Sequence, residues 1–185
     1  MIFALTGPSG AGKTTYAKRL LKEFKDFAVP SHTITTRQPR EGKDESKQYT
    51  FVTKEEFDNS MQDGEFACRT EFCDNLYGIK KSFIDEVRRS GKVLILDSIQ
   101  DPQQVRLMDG NVVIVYLSAT DEEMEKRISG RPNITKEEIN IRKKDYERWE
   151  KLKSFCTHAI DTSSSRNEKE VLQELKTLFI KTMLK

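Results

Sequence analysis

The chain has 185 residues, 36% of them hydrophobic and 34% charged, and 32 basic side chains nearly balance 30 acidic ones to leave a net charge of +2. This balance excludes a strongly basic nucleic-acid arm or an acidic tail, and the longest apolar run, residues 112–117, is too short to span a membrane. The three cysteines are an odd and sparse set, typical of a reduced cytoplasmic protein, and Met1 precedes an apolar run without the basic segment of a secretory signal. We therefore expect a single cytoplasmic domain over residues 1–185, with neither a membrane nor a nucleic acid as its partner.

Strand and helix patterns alternate along the chain. Residues 2–5 form a short apolar strand that stops at a glycine turn, and apolar residues at helical spacing follow it. Residues 93–96 and 112–117 are nearly continuous apolar runs, typical of parallel strands covered on both faces, and residues 158–161 predict a last core strand. Capping boxes predict helix starts after Thr53, Thr120 and Thr135. The alternation predicts an α/β fold with a three-layer α/β/α core around a parallel sheet.

Two stretches depart from this alternation. In residues 32–79, short half-exposed strands at 49–52 and 66–72 surround a helix at 54–61, which indicates a small inserted subdomain. Residues 126–142 are rich in Arg and Lys and offer few anchors for a core, so we expect a mobile flap there. The remaining core segments are 1–31, 80–125 and 143–185.

The strongest motif is a phosphate loop between the first strand and the first helix. Residues 7–14 read Gly-Pro-Ser-Gly-Ala-Gly-Lys-Thr, which matches G-x-x-x-x-G-K-[ST] in full. Backbone N–H groups of such a loop surround a phosphate, and the helix N-terminus adds partial positive charge. Lys13 can reach the β- and γ-phosphates of a nucleotide, and the Thr14 hydroxyl can ligate Mg²⁺. The predicted triphosphate-binding residues are Gly7, Pro8, Ser9, Gly10, Ala11, Gly12, Lys13, Thr14 and Thr15.

A second group of residues predicts a site for another phosphate. Arg37 and Arg40 lie three residues apart after a strand pattern, Tyr49 follows, and Tyr77 lies at what reads as a glycine turn. Arginine forks bind phosphate oxygens bidentately, and tyrosine hydroxyls add neutral donors. Together the four groups could hold one phosphate dianion, which favours transfer between two nucleotides over hydrolysis.

These motifs resemble those of the guanylate kinase family over nearly the whole chain. The most specific segments are 7–13, 35–40, 49–52, 64–66, 75–78 and 96–97. The resemblance implies a P-loop core with a nucleoside-monophosphate-binding subdomain at 32–79 and a lid at 126–142. It also implies that ATP and Mg²⁺ are used to phosphorylate a (deoxy)nucleoside monophosphate, with GMP or dGMP as the first expectation.

The resemblance further implies a role for each site residue. The implied catalytic residues, which stabilise charge on the transferred phosphoryl group, are Lys13, Arg127, Arg131 and Arg142. The implied acceptor-binding residues are Thr33, Arg37, Arg40, Tyr49, Cys68, Tyr77 and Asp97, and the implied metal ligands are Thr14 and Asp97. The region of residues 158–161 is implied to pack against the adenine.

Three positions depart from the family where the acceptor base is read. Cys68 stands nine residues before Tyr77 in place of an acidic residue, Ile79 replaces a Ser or Thr, and Ile99 aligns with a second acid. A thiol is a poor hydrogen-bond acceptor and carries little charge at neutral pH. Glu65 and Glu71 are candidate replacements, although odd spacing from Cys68 along a strand places Glu71 on the opposite face unless a bulge intervenes. A relaxed or shifted base preference is therefore an open alternative.

The sequence alone leaves two alternative functions and the oligomeric state undecided. Loss of the base-reading groups permits a sugar-phosphate kinase, although the intact Arg37, Arg40 and Tyr49 argue against it. A non-catalytic guanylate-kinase-like binding module is disfavoured by the intact phosphate loop through Lys13 and Thr14. Nothing in the sequence separates a monomer from a homodimer.

Overall fold

The computed structural model describes residues 1–39, 42, 44–98, 101–130 and 134–184. The strands are β1 (Ile2–Thr6), β2 (Ala28–Pro30), β3 (Thr33–Thr35), β4 (Tyr49–Phe51), β5 (Phe66–Phe72), β6 (Asn75–Lys80), β7 (Val93–Leu96), β8 (Val112–Ser118) and β9 (His158–Asp161). The helices are α1 (Lys13–Glu23), α2 (Lys54–Gln62), α3 (Lys81–Ser90), α4 (Pro102–Met108), α5 (Asp121–Ser129), α6 (Lys136–Lys144), α7 (Tyr146–Leu152) and α8 (Glu168–Met183). No helix of these described ranges is both long enough and apolar enough to cross a membrane.

The first sheet has five parallel strands in the order β2-β7-β1-β8-β9. Phe3 and Leu5 on one face of β1 pack with α1, α5 and α8. Ile2 and Ala4 on its other face pack with α3 and α4. Apolar side chains on both faces explain why the central strands read as continuous apolar runs. The three-layer α/β/α fold predicted from the sequence is confirmed, and so are the capping boxes at the starts of α2, α5 and α6.

The second sheet has four strands in the order β4-β3-β6-β5, and β3 pairs parallel with β4 and antiparallel with β6. The glycine turn predicted at Tyr77 is wrong, because Tyr77 and Gly78 lie inside β6. A Cβ at Gly78 would lie 2.6 Å from the ring of Phe66, which stacks on Phe57 of α2 at a centroid distance of 4.5 Å. Gly78 therefore makes room for an aromatic ring within a strand. The division into core, acceptor subdomain and lid stays a prediction.

Part of the segment expected to be a mobile flap is anchored. Its first residues belong to α5, where Ile128 is fully buried in the main core. Ile134 and Ile139 also pack against this core. The expectation that little would anchor residues 126–142 is therefore wrong at these positions, because a few isoleucines among many charged residues leave little trace in the composition. Arg131, one of the implied catalytic residues, lies outside the described residues, as do Arg40 and Ile99.

The turn between β5 and β6 is formed by two residues with positive φ, Cys73 at 49° and Asp74 at 57°. This is the backbone of a tight hairpin turn, which glycine adopts at the lowest cost. The Asn75 side-chain amide donates to the Cys73 carbonyl at 2.6 Å and supports the turn. The hairpin tip therefore carries local strain that the surrounding contacts offset.

Replacing Asp74 with glycine is expected to stabilise the protein by about 0.5–1 kcal/mol, because glycine pays no Cβ penalty in the left-handed region. For a chain of this size that is a rise in Tm of about 1–4 °C, measured by thermal unfolding. Asp63→Gly is the control, since Asp63 has φ −72° and gains nothing from glycine. An equal loss of stability in both variants would contradict the strain argument.

Candidate functional site

The phosphate loop connects β1 to α1 and lies tightly against the backbone of its neighbours. Gly7 has φ 130°, and a Cβ there would lie 2.1 Å from the carbonyl oxygen of Leu117. Gly10 has φ 88°, and a Cβ there would lie 2.6 Å from the carbonyl oxygen of Met124. Only glycine satisfies both the dihedral angles and this close approach. The loop is thus held in place by β8 and α5.

Lys13 is the first residue of α1, and its side chain folds over the loop. Its Nζ donates to the carbonyl oxygens of Gly7 at 2.6 Å and Pro8 at 2.8 Å. An ammonium placed there meets an incoming phosphate as a charged donor, and such hydrogen bonds are among the strong ones. The position fits the predicted role of Lys13.

Thr14 and Asp97 come together at the carboxyl ends of β1 and β7, where ligands of parallel sheets usually bind. The Thr14 hydroxyl donates to the Asp97 carboxylate. Burial raises the pKa of the Asp97 carboxyl, while the Thr14 hydrogen bond and the charge of Lys13 oppose the rise. A hydroxyl and a carboxylate are the oxygen donors that Mg²⁺ prefers, and it commonly takes its other ligands from water and substrate phosphates. The pair fits a Mg²⁺ site.

Asp97→Asn is expected to stabilise the protein at pH 7 and to lower activity about tenfold, as lost metal-supporting groups commonly do. The pKa of Asp97 lies above its usual 3.8, so its charged form costs stability at neutral pH. The stability gained by protonating Asp97 is present below pH 3.8 and is lost as the pH rises through the raised pKa. The variant's advantage in Tm should therefore shrink as the pH falls toward 3.8, with the exposed Asp26→Asn as control. A lower Tm of Asp97→Asn than of the wild type at pH 7 would contradict the expected stabilisation.

Two of the predicted catalytic arginines lie at the phosphate loop. Arg127 on α5 donates from Nη1 to the Gly10 carbonyl at 3.1 Å and from Nη2 to the Thr162 carbonyl at 2.9 Å. Arg142 on α6 donates from Nη1 to the Ser9 hydroxyl at 2.9 Å. Two guanidinium groups thus flank the loop from separate helices.

A cavity of about 250 Å³ opens beside the loop and carries residues that the sequence analysis missed. Its walls include Gly12, Thr15 and Arg127, and the segment after β9 adds Ser163, Ser164 and Arg166. The Thr162 hydroxyl, at 3.0 Å from the Ala11 carbonyl, ties this segment to the loop. The run of Thr and Ser after β9 was the available signal, although polar runs are usually only loops. The cavity therefore adjoins the loop that the sequence predicts to bind the triphosphate.

Four of the acceptor residues predicted from the sequence share one face of the second sheet, namely Thr33, Tyr49, Cys68 and Tyr77. Paired residues point to the same side of a sheet, and Thr33 pairs with Tyr49, Thr35 pairs with Tyr77, and Cys68 pairs with Ile79. The Thr33 hydroxyl lies 2.8 Å from the hydroxyl of Ser98, the residue after Asp97. This face therefore meets the first sheet at the end of β7.

Arg37 follows β3 and is held by an acidic neighbour that the sequence analysis missed. Its Nη2 lies 3.1 Å from Glu45 Oε2, and the side chains of Arg37 and Glu45 are only 15% and 9% exposed. Its guanidinium lies over the rings of Tyr49 at 5.1 Å and Phe51 at 5.4 Å. Ring stacking and the ion pair fix the plane of the fork, which suits bidentate phosphate binding. The position of Glu45, eight residues after Arg37, does not by itself indicate that it pairs with Arg37.

The end of the same face where the family resemblance implies base reading is apolar. Cys68 is 3% exposed and Ile79 is fully buried, and both belong to a cluster that includes Leu96 and Val105. Burial raises the pKa of the Cys68 thiol to about 12. A neutral thiol beside an isoleucine cannot replace a carboxylate that accepts two hydrogen bonds.

Neither of the two suggested replacement acids lies on this face. The bulge in β5 falls before Cys68, so Glu71 keeps its odd spacing from Cys68 and is exposed. Glu65 is also exposed and pairs with Lys80 at 2.8 Å. A different carboxylate, missed in the sequence, stands at the start of α4, where Asp101 accepts from the Gln103 amide at 2.8 Å. It lies one turn before Val105, which packs in the same cluster as Cys68 and Ile79, and this makes it the better candidate.

Comparisons with known proteins identify the family. The family model "Guanylate kinase" matches residues 2–177. A guanylate kinase of Clostridioides difficile is 33% identical over 174 residues, covering 92% of this chain and 84% of the relative. The human guanylate kinase is 34% identical over 137 residues, covering 73% of this chain and 70% of the relative. The crystal structure of guanylate kinase from Anaplasma phagocytophilum has a TM-score of 0.75 at 22% identity and covers 100% of this chain and 87% of the other.

A glycine-rich loop between a central parallel strand and a helix, with Lys13 bent over it, defines a P-loop nucleotide-binding protein. The match of the family model over nearly the whole chain is more specific: the protein belongs to the guanylate kinase family and is a phosphotransferase.

Proposed function

We propose that the protein transfers the γ-phosphoryl group of ATP to the phosphate of a (deoxy)nucleoside monophosphate, with GMP or dGMP as the first acceptor. The observation that carries the proposal is the hydrogen bond between Thr33 and Ser98. It joins the sheet with the acceptor residues to the strand end that carries Asp97, and Asp97 contacts Thr14 of the phosphate loop. Two substrates bound at these places would lie close enough for direct transfer.

The residues divide the chemistry between the two substrates. Arg37, Arg40, Tyr49 and Tyr77 hold the acceptor phosphate, whose oxygen is already anionic and needs no general base to attack the γ-phosphorus. The bond to the β-phosphate oxygen breaks, and ADP leaves. Lys13, Arg127, Arg131 and Arg142 neutralise charge on the transferred group. Thr14 and Asp97 would hold Mg²⁺, which supplies further neutralisation at the phosphate oxygens.

A shifted base preference is the second candidate, and the buried Cys68 and Ile79 favour it. An unmet guanine donor costs about 1–3 kcal/mol in a buried site, and two of them would reduce selectivity about a hundredfold or more. Asp101 is the carboxylate that could restore guanine reading. A pyrimidine or a modified base would not require an acidic residue at position 68.

The test is ADP release with ATP and Mg²⁺ across a panel of ribo- and deoxyribonucleoside monophosphates. Turnover restricted to GMP and dGMP, and lost in Asp101→Asn, would support guanine reading by Asp101. Turnover of another base at equal or higher kcat/KM would support the shifted preference. No turnover of any monophosphate would refute the proposed function.

A further inference from the structure

The guanidinium of Arg142 is held between two parts of the molecule that are distant in sequence. One side donates to Ser9 in the phosphate loop at 2.9 Å. The other side lies 5.2 Å from the ring centroid of Phe72, the last residue of β5. Within the described residues its Nε is buried and has no hydrogen-bond partner. A contact to one rotatable hydroxyl does not fix the plane of a guanidinium, whereas a ring face does.

The charges that act on Cys73, the neighbour of Phe72, agree with this contact between the hairpin tip and α6. Burial raises the pKa of the Cys73 thiol, and Arg142, Glu138 and Asp145 are the next charges that act on it, together with Asp74. Glu138 and Arg142 lie on α6, and Asp145 directly follows it. The end of the second sheet at Phe72 therefore lies beside the helix that carries Arg142.

We propose that Phe72 is a positioning residue for phosphoryl transfer, which acts by holding the Arg142 guanidinium at the mouth of the phosphate loop. A guanidinium oriented beside Ser9 of the phosphate loop can donate to phosphate oxygens bound in that loop. Because Phe72 belongs to the acceptor sheet, Arg142 is oriented only when that sheet stands against the phosphate loop. This inference rests on the proposed function, since it assigns Phe72 to the same reaction.

The first test is steady-state kinetics of Phe72→Leu with ATP, Mg²⁺ and the monophosphate that the wild type turns over fastest in the panel. We expect kcat to fall about 5–30-fold, the range that a desolvated cation–π contact is worth, with both KM values within about twofold. Phe72→Tyr and Phe72→Trp keep a ring face and should retain kcat within about twofold. Phe83→Leu, at another half-buried phenylalanine, is the matched control and should behave as wild type.

The second test repeats Phe72→Leu in an Arg142→Ala background. A residue that acts through Arg142 has no further effect there. An undiminished loss in that background, a loss confined to the KM of the acceptor, or an unchanged kcat in Phe72→Leu would each overturn the proposal.

A readout without turnover separates this inference from the proposed function. In a double-mutant cycle on chemical unfolding, Phe72→Leu and Arg142→Met should show coupling of about two- to fivefold in the unfolding equilibrium constant. Coupling in unfolding together with an inactive wild type would refute the proposed function but support the contact between Phe72 and Arg142. An active wild type without any coupling would refute the contact on which the role of Phe72 rests.

Discussion

Lys13→Ala is expected to lower kcat for phosphoryl transfer by about 10²–10³-fold, the largest effect of any single substitution considered for this protein. Lys13 supplies a charged donor inside a loop whose backbone approaches it at 2.6 and 2.8 Å. Removing one such preorganised donor from a developing negative charge commonly has this effect. The measurement is the initial rate of ADP formation at saturating ATP and acceptor.

Lys22→Ala is the control for this substitution, because Lys22 is exposed in the last turn of the same helix. It should leave kcat within about twofold. Circular dichroism should show both variants folded, since the Lys13 side chain is not part of the hydrophobic core. A Lys13→Ala variant that retains more than about a third of wild-type kcat would rule out its role at the transferred group.

Arg37→Ala is expected to lower kcat/KM for the acceptor by about 10–100-fold while the KM for ATP stays within about twofold. Hydrogen bonds to charged groups contribute about 1.5–3 kcal/mol, which corresponds to this range. Arg37→Lys keeps the charge beside Glu45 but loses the planar fork and its stacking on Tyr49. It should therefore fall between alanine and wild type.

Arg69→Ala is the matched control, because Arg69 lies in the same sheet, is exposed and is adjacent in β5 to Cys68, which places it on the opposite face. Its kinetics should match those of the wild type. If Arg37→Ala raised the KM for ATP and left the acceptor unaffected, the assignment of this sheet to the acceptor would be wrong.

The sequence predicts those parts of the molecule that depend on local pattern. The central strands, the phosphate loop and the three capping boxes each lie within a few residues, and each is found where the pattern predicts it. Gly78 is read wrongly because its neighbour in space, the ring of Phe66, lies 12 residues earlier in the sequence. A glycine in a turn and a glycine beneath a ring have the same sequence signal.

Contacts in the candidate site were harder to predict because they join distant segments. The residues of the hydrogen bond between Arg142 and Ser9 are 133 positions apart, and those of the bond between Thr33 and Ser98 are 65 apart. The family resemblance named most of these residues, but it could not say what Arg37 and Arg142 contact. Glu45 and Phe72 carry no motif of their own and become visible only beside the two arginines.

The strand order of the second sheet has a consequence for how such an enzyme could change its substrate. Arg37 and Tyr49 lie on the side of β3 and β4, whereas Cys68 and Ile79 lie across the sheet on β5 and β6. On the proposed function, the phosphate is held from β3, β4 and the neighbouring Tyr77 on β6, and the base is read beside Cys68 and Ile79. Because the hairpin of β5 and β6 carries Phe72 and Tyr77 as well as these two residues, exchanging the whole hairpin for that of a relative would alter phosphate handling together with base choice. Single replacements at positions 68 and 79 are therefore the smaller step by which such an enzyme could acquire another base preference.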